Sequence, residues 1–243
     1  MAQERAIRTR RTILDAAAAI FDERGYEAAT ISEVLGRAGV TKGALYHHFQ
    51  SKEDLARGVL EGAVTTEGVR PQDLKLQEVV DILLLMACRL PREPMFSAAL
   101  RIAVDLQSQV LIGTRWPDWC ELLAGLLAEA HERGELIRCI DGEEAARILV
   151  AAWTGVRIVS EGLPGEYDLA YDVSLLLQLL MPSLAMPTVL ARLEISAERA
   201  ARLFAEMSSD SQDVQAEGGR SGAVPRTAPG GASGAVLVGP VDG

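Results

Sequence analysis

Residues 41–49 form a short stretch in which hydroxyl, cationic and aromatic side chains alternate with apolar ones. Leu45 and Phe49 are four residues apart, so a helix here would turn both toward the core. The other side of that helix would be polar, cationic and exposed. Gly43 is a poor helix former, and close approach of its backbone to a phosphate or a base edge would explain its place there. The combination is typical of a helix that enters a DNA groove, although each residue taken singly also fits a solvated helix face.

The neighbouring residues carry signals that start and stop helices on either side of this stretch. Thr30 and Glu33 have the spacing of a reciprocal capping box, which begins a helix. Gly39 follows the last apolar residue and can adopt the left-handed conformation that ends a helix. Thr41 and Ser51 can then cap a second and a third helix. The sequence therefore predicts a helix, a tight turn and another helix within about twenty residues.

These features resemble the DNA-binding domain of the TetR family of bacterial repressors over residues 5–58. The resemblance rests on the Gly25-Tyr26 pair and on the aromatic run at residues 46–49. It implies a three-helix domain whose helix at residues 41–48 enters the major groove. The residues implied to contact DNA are Thr30, Thr41, Lys42, Gly43, Tyr46, His47 and Lys52.

The charge of the chain is unevenly distributed. The formal net charge is −10, which by itself disfavours a nucleic-acid partner. Residues 1–58 carry nine Arg or Lys and eight Asp or Glu, a net charge of +1, which leaves −11 for residues 59–243. An N-terminal arm that includes Arg8 has a local excess of cations suited to phosphates, although it also fits a solvated terminus. Binding to double-stranded DNA is therefore assigned to the first 58 residues.

The rest of the chain is predicted to be helical, because apolar residues recur at spacings of three and four without a useful alternating strand pattern. Residues 143–162 and 167–181 are too apolar for surface helices, which indicates cover from a second copy of the chain, with residues 72–132 covering part of them. The fold class is therefore all-α. The predicted parts are a DNA-binding helix-turn-helix domain at residues 1–58, a larger ligand-binding and dimerisation domain at residues 59–208, and a disordered, glycine-rich tail at residues 209–243.

A closer resemblance is to the γ-butyrolactone autoregulator receptors of antibiotic-producing actinobacteria. It rests on the Trp-Pro-Asp-Trp segment at residues 116–119 and on residues 152–161. It implies an apolar hormone pocket in which Trp119 lines the wall and Thr154 can hydrogen-bond the ligand. Each tryptophan taken alone also fits plain core packing. The expected ligand-binding residues are Trp119, Thr154, Val104, Leu123, Leu85 and Trp153.

The resemblance implies a repressor that binds a palindromic operator as a homodimer, with half-sites about 34 Å apart or a multiple of that distance. A small lipophilic γ-butyrolactone or related butenolide would release it from DNA and so control secondary metabolism. No cofactor is expected besides this effector. A drug-responsive repressor of an efflux or antibiotic gene is the alternative with the same fold. An enzyme with a helix-turn-helix appendage fits less well, because the sequence lacks a nucleophile elbow, a phosphate loop and a His-Glu metal spacing.

The composition disfavours other classes of protein. Cys88, Cys120 and Cys139 have neither the spacing of a metal site nor that of a disulfide framework. The longest uninterrupted apolar run, residues 82–88, is far too short to span a bilayer, and no signal sequence precedes the charged start. We therefore expect a cytoplasmic protein without a metal site, a catalytic residue or a membrane partner.

Overall fold

The structure, a computed structural model, describes residues 2–163 and 167–220. The regular secondary structure of these residues is helical, and the predicted all-α class is confirmed. The helices are α1 (Ala2–Ala28), α2 (Ile31–Ala38), α3 (Lys42–His48), α4 (Lys52–Ala63), α5 (Lys75–Arg89), α6 (Pro94–Val104), α7 (Leu106–Ile112), α8 (Trp116–Glu132), α9 (Gly142–Gly162), α10 (Leu169–Leu184), α11 (Pro187–Leu190) and α12 (Ala197–Arg220). Among the described helices, none is both long and apolar enough to cross a membrane.

Helix α5 is the central helix of the fold, because every residue from 76 to 90 is buried. Helices α8 and α10 pack against it. A helix that begins inside a protein needs partners for its first N–H groups. The carboxylate of Glu135 supplies them, accepting hydrogen bonds from the backbone N–H groups of Lys75 and Leu76 at 3.0 and 2.8 Å. The loop between α8 and α9 thus fixes where α5 starts.

Helix α12 is attached to α5 through a buried ion pair. Nε and Nη2 of Arg199 donate to the two carboxylate oxygens of Asp81 at 2.6 and 2.7 Å. Gln77 donates a further hydrogen bond to the same carboxylate at 2.8 Å. The side chain of Asp81 is completely buried, so these donors replace the water that it would otherwise bind. Ala200 and Leu203 are buried beside the pair and complete the contact of the first turns of α12.

The predicted domain boundaries fall inside helices. The boundary between residues 58 and 59 lies within α4, and residues 1–207 form one compact unit. Helix α4 therefore belongs both to the helix-turn-helix part and to the larger helical part. The predicted tail begins at residue 209, whereas α12 is helical as far as Arg220, because the first glycines of the tail come only at residues 218 and 219. Residues 221–243 of that predicted tail lie outside the described residues.

Candidate functional site

Helix α2 begins and ends as its sequence predicts. The side chain of Thr30 accepts a hydrogen bond from the backbone of Glu33 at 3.3 Å, and the Glu33 carboxylate accepts from the Thr30 backbone at 2.9 Å. The hydroxyl of Thr30, which also donates to the Glu33 carboxylate, and the backbone N–H of Thr30 lower the pKa of Glu33 below its ordinary value. Gly39 then ends the helix at φ 65° and donates its N–H to Leu35 at 3.0 Å. The reciprocal cap and the left-handed glycine fix the tight turn into α3.

Helix α3 buries its apolar side and exposes the predicted polar one. Leu45 and Phe49 are buried, and the side chain of Thr41 caps the helix by accepting from the backbone of Ala44 at 3.2 Å. A Cβ added at Gly43 would meet nothing within 4 Å, so internal packing does not require glycine there. This open position is consistent with close approach by a DNA backbone. The exposed residues on this helix and its cap are Thr41, Lys42, Gly43, Tyr46 and His47.

Three of the predicted DNA contacts, Thr30, Thr41 and Lys52, also make hydrogen bonds within the protein. Thr30 donates its hydroxyl to Glu33 at 2.8 Å as part of the cap. Nζ of Lys52 donates to the backbone carbonyl of Glu27 at 2.9 Å and lies 4.5 Å from the ring centroid of Tyr26. Lys52 therefore ties the start of α4 to the end of α1. Arg8 is exposed on α1 and keeps a position from which it can contact phosphates.

An apolar cavity of about 70 Å³ lies among α4, α5, α6, α8 and α9. A water molecule needs about 10–15 Å³ on the same measure, so the cavity has room for several ligand atoms. Trp119, Leu123, Trp153 and Thr154 line it, and the sequence predicted all four. Hence the structure brings most of the predicted ligand-binding residues together around one apolar cavity.

Leu85 and Val104 were also predicted to bind ligand, but they do not line the cavity. On α5 the cavity is lined by Leu83 and Met86, and Leu85 points to the other side, where it packs near Gly68. Val104 is the last residue of α6 and packs at the edge of the core instead. Both residues lie on helices that line the cavity, and their neighbours on those helices form its wall.

The polar groups of the cavity are few, and two of them are already engaged. The indole Nε1 of Trp153 donates to the backbone carbonyl of Leu83 at 3.0 Å. The hydroxyl of Thr154 donates to the carbonyl of Val150 at 2.8 Å, which leaves its oxygen lone pairs free to accept from a ligand. Arg115 also lines the cavity, and no pattern in the sequence indicates it, because it precedes α8 outside any apolar repeat.

Two helices connect the cavity to the helix-turn-helix part. Helix α4 carries Leu60 in the cavity wall, and its Gly58 lies so close to the side chain of Leu14 in α1 that a Cβ would come within 2.7 Å of it. Helix α6 has Ser97 and Arg101 on its α1 side. Their side chains donate to the carboxylate and the backbone carbonyl of Asp22, both at 2.5 Å. We call these two hydrogen bonds the α1–α6 latch.

Comparison with known proteins agrees with this architecture. Residues 13–59 match the family of bacterial regulatory proteins described as the tetR family. The A-factor receptor protein of Streptomyces griseus is 38% identical over 238 residues, which cover 90% of this chain and 85% of the relative. The chain belongs to the TetR family. Its homologues are transcriptional regulators, and the relatives of this TetR-family protein give no indication of a catalytic function.

Solved structures of regulators are similar to this TetR-family chain over most of its length. The crystal structure of TylP, a TetR regulator from Streptomyces fradiae, is 42% identical with a TM-score of 0.78, and the match covers 86% of this chain and 94% of that one. A crystal structure of a γ-butyrolactone receptor described as an ArpA-like protein is 32% identical with a TM-score of 0.60, covering 83% and 99% of the two chains. The resemblance to butyrolactone receptors is thereby confirmed.

Among the described residues, no group of three or more His, Cys, Asp or Glu side chains could hold a metal ion. The three cysteines are free thiols, and burial raises the pKa of Cys88, which disfavours its reactive thiolate form.

Proposed function

We propose that this chain is a ligand-responsive transcriptional repressor that binds a palindromic operator as a dimer and is released by a γ-butyrolactone-type signal, controlling genes of secondary metabolism. The observation that carries the proposal is an apolar cavity whose wall includes α4, the helix that directly follows the helix-turn-helix. A ligand that fills such a cavity must contact α4. Similarity to an A-factor receptor and to a γ-butyrolactone receptor supports the choice of ligand class.

The operator contacts are assigned to the exposed side of α3. Lys42, Gly43, Tyr46 and His47 lie there without burial, and a major groove accepts a helix of this width. Arg8 and the other arginines of the N-terminal arm would add phosphate contacts, which strengthen binding at low salt. Lys52 and Thr30 also hold α4 and α2 in place, because each makes a hydrogen bond within the protein.

The second copy of the chain would pack on α9 and α10. Tyr171, Leu175 and Leu179 recur every four residues along α10 and are exposed, with 78% of Leu179 accessible. Ile148 and Val159 of α9 are likewise exposed. Large apolar side chains in a continuous stripe are typical of a surface that a partner covers. A two-fold dimer would present two α3 helices to the two halves of a palindrome.

Ligand and operator binding would be linked by the free-energy difference between two settings of α4 and α6. The ligand prefers one setting, and the operator repeat prefers the other. To change operator occupancy from nearly full to nearly empty, the ligand must prefer the released setting by about 5 kcal/mol. Burial of a ligand's hydrocarbon chain in the cavity can supply energy of this size.

The test begins with an operator selected from random duplex DNA by the purified protein. Gel-shift titrations then compare γ-butyrolactones of different chain lengths with a panel of unrelated lipophilic drugs. We expect two chains per operator, and complete release by one lactone at a concentration where the drugs have little effect. Unchanged operator affinity with every lactone would overturn the sensor part of the proposal, and release by many drugs would favour a drug-responsive repressor.

A further inference from the structure

Arg115 is the one charged residue among the described residues that line the cavity. It directly precedes α8, and Asp118 lies three residues later in the first turn of that helix. Nε of Arg115 and Oδ2 of Asp118 are in contact as an ion pair. The side chains are 42% and 33% exposed, so the pair lies at an end of the cavity that is near the surface. The rest of the lining is apolar apart from Thr154 and the tryptophan indoles.

The contact between Arg115 and Asp118 pairs the two charges through Nε, one of the three nitrogens of the guanidinium. Nε and Oδ2 lie against each other and are shielded from solvent, so the space beside Nε is already filled. A guanidinium has five N–H donors, and the four on its Nη atoms remain to donate to a ligand oxygen at this end of the cavity. The pair is therefore neutral overall and still able to donate.

The ion pair favours ligands whose polar group is uncharged over ligands whose polar group carries a negative charge. A neutral carbonyl oxygen can accept from Arg115 while Asp118 keeps its ionic partner. A carboxylate would have to compete with Asp118 for the same guanidinium and would leave one negative charge uncompensated beside an apolar cavity, which is unfavourable. The apolar remainder of the cavity would accept the hydrocarbon chain in either case. Only the head group distinguishes the two ligands.

We propose that the Arg115–Asp118 pair is a specificity determinant that accepts the intact, uncharged lactone ring and rejects the hydroxycarboxylate formed when that ring is hydrolysed. Arg115 would contact the ligand carbonyl, and Asp118 would act through Arg115 as a positioning residue. The inference rests on the proposed ligand class and deepens it. Its biological consequence is that ring opening by water or by a hydrolase would end the signal at the receptor itself.

Isothermal titration calorimetry of the full chain with a matched pair of probes tests this inference. The probes are γ-decalactone and the hydroxycarboxylate obtained by opening the same ring, so that both have the same carbon skeleton. The wild-type chain is expected to bind the lactone at least about tenfold more tightly, which is the usual size of a hydrogen bond from a charged donor. Asp118→Asn should reverse or abolish this preference by freeing the charge of Arg115. Arg115→Gln should weaken lactone binding by about tenfold.

Leu123→Ala is the matched control, since it removes apolar lining and should weaken both probes by a similar factor. A general loss of structure in any variant would also lower both affinities together, whereas the inference concerns their ratio. Equal binding of the two probes by the wild type, failure of the wild type to bind either, or an unchanged ratio in Asp118→Asn would overturn it. If the lactone binds selectively but does not change operator affinity, the proposed function is wrong. The inference about lactone selectivity would still hold in that case.

Discussion

At the scale of single residues, the predicted DNA contacts differ in whether their side chains also form hydrogen bonds with another helix of the protein. Lys42 is exposed on α3, with Nζ 5.8 Å from the ring centroid of Tyr46, and both remain available to DNA. Lys52 has donated to a backbone carbonyl of α1 and stacks on a buried tyrosine. Residue type and spacing placed both lysines near the operator. Only the structure shows that one of them has a structural partner.

The two lysines should therefore respond differently to truncation. Lys42→Ala is expected to weaken operator binding at least about tenfold without changing the melting temperature, because it removes an exposed contact to DNA. Lys52→Ala should lower stability by about 1 kcal/mol, because it removes a hydrogen bond between helices. Fluorescence anisotropy with labelled operator and thermal unfolding would measure the two effects. The reverse pattern, with Lys42 needed for stability and Lys52 for affinity, would contradict the assignment.

The buried carboxylate of Asp81 makes Arg199 important for folding. Arg199→Ala would leave that carboxylate without its ionic partner in a site where no part of the side chain is exposed, and should cost about 3–5 kcal/mol in the free energy of unfolding. Arg202 is the matched control, because it is half exposed and pairs with Glu194 at the surface, where such pairs contribute little. Urea denaturation would compare them. Equal midpoints for the two variants would show that the buried pair contributes no more than the exposed one.

At the scale of helices, the capping signals predicted the helix-turn-helix closely. The apolar pattern was less accurate in predicting which residues of the later helices line the cavity. Thr30, Gly39 and Thr41 act locally, so a few residues determine their role. Val104 illustrates the failure. It follows Phe96 by eight residues, which turns it by about 80° from that side chain, while Ala103 at seven residues is turned by only about 20° and lines the cavity. A pattern read over two helical turns therefore predicted Val104, whereas its neighbour Ala103 lines the cavity.

The latch and the ion pair of Asp81 had no signal in the sequence, for a common physical reason. Each depends on groups that tertiary packing brings together, such as Asp22 with Ser97, which are 75 residues apart in the chain. Helix propensity and capping rules describe neighbours within one or two turns. Contacts between distant helices follow from the packing of whole surfaces.

The α1–α6 latch should carry part of the coupling between ligand and operator. Ser97→Ala is expected to keep both individual affinities within about threefold while lowering the ligand-induced loss of operator affinity by about 0.5–2 kcal/mol. Operator affinity would be measured with and without the lactone that releases the wild type. Thr188→Ala removes a hydroxyl that is exposed on α11 and serves as the control. An undiminished loss of affinity in Ser97→Ala would remove the latch from the mechanism.

At the scale of the whole molecule, the charge distribution and the apolar stripe of α10 point to one orientation on DNA. Residues 1–58 have a net charge of +1 and residues 59–243 one of −11, so that the acidic remainder is repelled by phosphates. The proposed dimer through α9 and α10 would double the number of recognition helices. Two weak half-site contacts would then become one strong bidentate complex, because the second contact forms at a high effective concentration.

Charge introduced into the stripe should therefore separate folding from operator binding. Leu175→Glu combined with Leu179→Glu is expected to give a folded monomer, because both side chains are exposed in the single chain and only a partner would bury the new charges. Operator affinity should then fall by about a hundredfold or more, while the affinity for an isolated half-site changes little. Val110→Glu is the control, since Val110 is 87% exposed on α7 and lies outside the stripe. Analytical ultracentrifugation and anisotropy would measure the two quantities, and a double variant that remains dimeric with full operator affinity would place the dimer interface elsewhere on the molecule.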